Sequence, residues 1–153
     1  MNQSDQMAMA DRMAAHYQHK ADYVRTTTVL LGLLPLMYGV LTWVYGERLW
    51  AESGVYTTAM TVPWAPQSWG TVFMGLGAGT VWSAYRDRRR WTIALTLAMA
   101  LVLSTFMITF LVVAVTGKVS ALHPALVYGV VSLLFLVRAR LAWVAPPTPV
   151  SGE

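Results

Sequence analysis

Three stretches of the chain, Val29 to Tyr45, Trp69 to Tyr85 and Trp91 to Gly117, carry no Asp, Glu, Lys, Arg or His. A fourth apolar stretch starts at Pro124 and meets a charge only near its end, at Arg138 and Arg140. Uncharged apolar runs of roughly 18 residues or more are the mark of membrane-spanning helices. The pattern therefore predicts an all-α, polytopic membrane protein with four transmembrane helices and an N-terminal amphipathic helix. The expected spans are about 27–45, 69–85, 91–116 and 124–143, together a four-helix transmembrane domain over 27–143. A cytoplasmic amphipathic segment, 1–26, precedes it, and a Pro-rich cytoplasmic tail, 144–153, follows.

In the first segment Met7, Ala10, Ala14, Tyr17, Ala21 and Val24 recur at spacings of three and four, one helical stripe. Ser4 and Asp5 suit an N-cap and a first-turn acid. A short helix lying on the membrane surface or against a partner is expected, with a frayed tail as the alternative. Pro35 falls within the first span and is expected to kink it. Gly46–Ser68 reads as the longest loop. Its Trp50 and Trp64, with the adjacent Trp69, are expected at the membrane–water interface. Pro63 and Pro66 break any helix there, and Ser68 is the expected N-cap of the second span. Pro124 sits in the first turn of the fourth span, where proline is tolerated. Pro146, Pro147 and Pro149 end that helix.

Composition agrees with this pattern. Hydrophobic residues make up 56% of the chain and charged residues 12%, too few to clothe a soluble fold of this size. With no cysteine, disulfides and thiolate sites are excluded. The net charge of +4 flanks the apolar runs instead of covering a soluble face, so anionic lipid headgroups are the expected partner and nucleic acid is not. Arg86, Arg88, Arg89, Arg90, Arg138 and Arg140 are the expected headgroup contacts. Nine Lys and Arg fall on one side of the predicted topology, against Arg48 and Lys118 on the other. The positive-inside rule puts both termini in the cytoplasm.

Small residues mark candidate packing faces. Gly32, Gly39 and Gly46 are seven apart, and Gly75 and Gly79 form a GxxxG. The Gly75–Gly79 segment resembles a phosphate loop only weakly, because no strand precedes it and no Lys-Ser/Thr pair follows. Helix packing of Gly75 and Gly79, against Gly32 and Gly39, is the expected role. The third span carries Thr92, Thr96, Thr105 and Thr109, with Ser104 and Thr116. These hydroxyls bond to their own helix, pair across helices, or face water in an oligomeric pore.

Chemistry-bearing clusters are sparse. His16, His19 and Asp22 share a helical spacing that suits metal but lack a fourth ligand. Glu47, Glu52 and His123 are the acid–base groups that topology brings near one another. The weight of the pattern is against both, and no catalytic residue, cofactor or metal is expected.

Thr58-Ala-Met-Thr-Val-Pro-Trp-Ala-Pro-Gln-Ser-Trp-Gly70 resembles a segment of small multi-span membrane proteins encoded by phages of actinobacteria, in which a Pro-containing external loop opens into a glycine-bearing span. The resemblance covers about residues 55–80 and the four-span layout. It implies a bacterial inner membrane, homo-oligomers or a second membrane protein as partner, and no catalytic residues. Some members are holin-like, oligomerising to release a lysis enzyme. Others have unknown roles or exclude competing phages. The expected function is helix–helix association as a docking, assembly or exclusion partner of another membrane protein, with a holin-like permeabilising protein as the alternative. The tail departs from the holin pattern, since Glu153 is its single charged side chain.

Overall fold

The computed structural model describes residues 3–51, 56 and 58–144, and side chains within 22–50, 56 and 58–144. Most of the N-terminal stripe, His16, His19, Glu52 and the tail from 145 lie outside the described side chains. The described chain is helical: α1 (Gln3–Ala51), α2 (Gln67–Tyr85), α3 (Arg89–Val115) and α4 (Leu122–Val144), with short 3₁₀ turns at Ala59–Thr61 and Val119–Ala121. Three segments, Asp22–Trp50, Arg89–Val115 and Val119–Val144, are long and apolar enough to cross a membrane, and the molecule is a membrane protein. α2 falls short of that measure.

α1 differs from the expected pair of elements. It runs unbroken for 49 residues, about 74 Å, from the polar N-terminal segment through the first apolar stretch. No helix breaker separates Lys20 from Thr27. Glu47 and Arg48, expected in the loop, are part of the same helix. Pro35 is inside it and leaves the Leu31 carbonyl without its usual amide partner. In apolar surroundings the remaining hydrogen bonds are strong enough to carry a helix past such a site.

The other helix ends have local causes. α2 starts at Gln67 with Pro66 before it, and no side chain caps it; the Ser68 hydroxyl is buried without a hydrogen-bond partner, so Ser68 is not the N-cap. Asp87 takes a left-handed φ of 48°, and the Arg88 amide bonds back to the Ser83 carbonyl, the closure typical of a helix C-terminus. That turn starts α3 at Arg89 and not Trp91. Gly117, φ 119°, ends α3 in the same way, with its own amide on Ala114 and the Lys118 amide on Val113.

The helices form two antiparallel hairpins. α1 packs closely along α2 and α3 along α4, while α2 and α3 join the hairpins more loosely. α1 and α4, the first and last helices, do not pack closely on each other. The buried core is aromatic near the loop that follows α1, around Trp50, Phe73, Phe106 and Phe110.

Candidate functional site

The α1–α2 contact is built on glycine. A β-carbon on Gly77 would stand 2.6 Å from the Leu36 amide nitrogen and 2.7 Å from the Gly32 carbonyl oxygen. One on Gly39 would stand 2.7 Å from the Gly70 carbonyl oxygen. Gly46 lies under the ring of Pro66. The seam thus pairs Gly32 with Gly77 and Gly39 with Gly70, two seven-residue repeats running in opposite directions. This corrects the expected pairing with Gly75 and Gly79. Gly79 instead faces α3, where a β-carbon would stand 3.1 Å from the Leu95 side chain, and around Gly75 there is open space. At 100° per residue Gly75 and Gly77 point to opposite flanks of α2, and only one flank can meet α1.

The far side of α2 has a regular pattern of its own. Thr71, Gly75, Ala78, Trp82 and Tyr85 are all exposed, at spacings of four, three, four and three. That is the spacing of one helical face, small in its first half and aromatic in its second.

Among the described residues every arginine but Arg48 lies toward one end of the bundle, and several have partners within the protein. Arg89 donates from Nε to the Ala142 carbonyl at 2.7 Å and from Nη2 to the Trp143 carbonyl, so it caps the C-terminus of α4 from the α2–α3 turn. Arg138 donates from Nε to the Thr28 hydroxyl at 2.6 Å. The Arg25 guanidinium lies 4.9 Å from the centre of the Tyr85 ring. Arg86, Arg88, Arg90 and Arg140 are exposed and free to meet headgroups. Arg89 and Arg138 therefore have a structural role beyond the expected headgroup contact.

The threonines of α3 do not share one face. Thr92 and Thr96 are buried, Thr92 against the Ser83 hydroxyl of α2 at 3.0 Å and Thr96 bonded to the Thr92 carbonyl at 2.6 Å. Thr105 is exposed and Thr109 half-buried, and their hydroxyls bond to the carbonyls of Leu101 and Thr105. From Thr96 to Thr105 the helix makes about two and a half turns, which puts them on opposite sides. The expected pore face is thereby divided. Ser104 and Ser132 join α3 to α4 at 2.8 Å.

Aromatic rings fill the other end. Phe106 touches five of them, Trp50, Trp69, Phe73, Phe110 and Tyr128, with centroids 4.8–6.0 Å away. Trp50, expected at the interface, is 2% exposed and stacked on Tyr56 at 4.7 Å. Trp69 is half-buried and donates to the Ala59 carbonyl at 3.0 Å. Trp64 is 87% exposed and is the one of the three that remains at the surface. Sequence reasoning missed this cluster because interfacial tryptophans and buried ones look alike without their neighbours.

A cavity of about 310 Å³ opens beside the cluster, between α1 and α4. Tyr38, Tyr56 and Tyr128 meet at its wall. The Tyr128 hydroxyl donates to Tyr38 at 2.8 Å, and Tyr56 lines the same wall. Burial pushes the Tyr56 phenol well above its usual range, so it stays neutral. Among the described residues no cluster of His, Asp or Glu could hold a metal, and Glu47 and His123 are exposed. No protein family matches the chain, and comparisons with curated proteins and with solved structures find no match.

Proposed function

We propose that the protein acts without intrinsic catalysis, as a four-span inner-membrane docking, assembly or exclusion partner that binds another membrane protein through the outer face of α2. The observation that carries this reading is the exposed seam Thr71, Gly75, Ala78, Trp82 and Tyr85. α2 is also the helix whose composition least suits lipid on its own. A small-residue face gains little from lipid chains and much from a second helix that approaches closely. Its 19 residues, about 28 Å, match a hydrocarbon core of about 30 Å, which supports α2 as a fourth span beside α1. The gathering of arginines at one end supports cytoplasmic termini. A bacterial membrane rests on the resemblance to phage-encoded proteins.

The holin-like reading has less support. It needs a hydroxyl-lined face on the third span, and those hydroxyls are divided between two sides of α3 and bonded within the protein. Inducible expression in a foreign bacterium with a potential-sensitive dye tests it: no abrupt depolarisation is expected at any membrane level. A threshold collapse of the potential would restore the lesion-forming reading.

Gly75→Leu tests the docking face directly. Nothing lies within 4 Å of the added β-carbon, so the melting temperature in detergent should hold within about 2 °C. Co-purification with the native partner should fall at least about tenfold, as one bulky side chain at a close helix contact costs more than about 1.4 kcal/mol. Unchanged recovery of every co-purifying membrane protein would overturn the assignment of this face.

Topology has its own test, made clean by the absence of cysteine. A cysteine at Trp64 should react with an impermeant maleimide from outside intact cells. A cysteine at Asp87 should react only after the membrane is opened. External labelling at Asp87 would reverse the orientation.

A further inference from the structure

The gap between α1 and α4 is tied at two points. Tyr128 donates to Tyr38, and Arg138 donates to Thr28. Each tie is ten residues from the other on both helices, in opposite order, so the two stand about 15 Å apart along an antiparallel pair. The cavity lies beside the tyrosine tie, lined by Leu34 and Pro35 of α1 and by Val131 and Phe135 of α4. Its volume is at the small end of the roughly 300–1,000 Å³ of ligand sites, and a position between helices of a bundle is a common one.

Three features decide what fits. The mouth opens between two helices that cross the membrane, with Leu34 54% exposed at its edge, so entry is from the hydrocarbon. Among the described residues no charged side chain lines the cavity, so an ionised head would enter without a counter-charge from them. At its wall the Tyr128 hydroxyl donates to the Tyr38 hydroxyl, with Tyr56 lining the same cavity. Each hydroxyl has one proton and two acceptor lone pairs. The bond uses the Tyr128 proton and leaves acceptor sites free on the pair, so a hydroxyl head, which can donate as well as accept, suits it.

We propose that the cleft between α1 and α4 binds a single-chain, uncharged lipid with a hydroxyl head, its chain against Leu34, Pro35, Val131 and Phe135 and its hydroxyl hydrogen-bonded to the Tyr38–Tyr128 pair. The small volume takes one chain and not two. This site is separate from the docking face on α2 and does not depend on it.

The full-length protein in detergent, photolysed with a diazirine-bearing hexadecanol and mapped by peptide mass spectrometry, tests the site. Label is expected on α1 around Leu34 and on α4 around Val131. Excess hexadecanol should displace it at least about tenfold better than excess palmitate or hexadecane, the size of one buried hydrogen bond. Val131→Trp should fill the cavity and abolish cleft labelling. Leu34→Trp, at the exposed mouth, should do the same in a protein whose packing is untouched. Tyr38→Phe should bring hexadecanol and hexadecane to equal potency while the chain still binds. Label spread evenly over all lipid-facing helices and unaffected by Leu34→Trp would overturn the site. Equal displacement by palmitate would overturn the uncharged head.

Discussion

Gly77→Leu is expected to unfold the α1–α2 hairpin, with a loss of at least about 3 kcal/mol of stability and little monodisperse protein recovered in detergent. The reason is geometric. Even the first carbon of the new side chain would overlap the Leu36 amide and the Gly32 carbonyl. Both are backbone atoms of a continuous helix, so neither can rotate away. The helices would have to part along their whole seam, and the lost contacts are the dispersion and close carbonyl approaches that hold helices together in lipid. Gly75→Leu, two residues away on the same helix, is the internal control and should melt like the native protein. Equal melting temperatures for the two variants would remove the seam as described.

Phe106→Ala is expected to cost about 3–5 kcal/mol, the range for emptying a large aromatic from a packed core. Five rings contact Phe106, and four of them come from other elements of the fold. In a bilayer the transfer gain of burying an apolar ring is small, but the dispersion energy of a filled site against an empty one remains. Phe106→Leu keeps part of the volume and should lose about 1 kcal/mol. Thermal unfolding in a mild detergent, followed by near-ultraviolet circular dichroism of the aromatic cluster, measures both. A loss below about 1 kcal/mol for Phe106→Ala would mean that the rings are packed loosely.

The helices are legible in the sequence because charge is costly in hydrocarbon. The empty runs starting at Trp69 and Trp91 end within a few residues of α2 and α3. α1 is longer than the apolar pattern suggests: Glu47 and Arg48 look like a loop, yet nothing between Gly46 and Ala51 breaks a helix. The glycine seam is half legible. Gly32, Gly39 and Gly46 repeat every seven residues, as do Gly70 and Gly77, but the shorter GxxxG of Gly75 and Gly79 points to the wrong flank. Choosing between them requires knowing which side of α2 faces α1. The division of the threonines is legible by angle alone, since nine residues carry Thr105 to the side opposite Thr96. The tyrosine pair is not legible. Tyr38 and Tyr128 are 90 positions apart, and only the closure of the whole bundle brings their hydroxyls together.

The clasp of Arg89 on the end of α4 has a consequence for biosynthesis. The two partners are 53 positions apart, and translation delivers the arginine first. On the proposed topology, Arg89 is retained at the cytoplasmic surface by its charge while α3 inserts. The α4 helix emerges later and must cross back toward that surface. When it arrives, its last carbonyls find a guanidinium already in place. The residue that helps to orient the hairpin during insertion thus also receives the final helix, and the order of synthesis matches the order in which the two tasks arise.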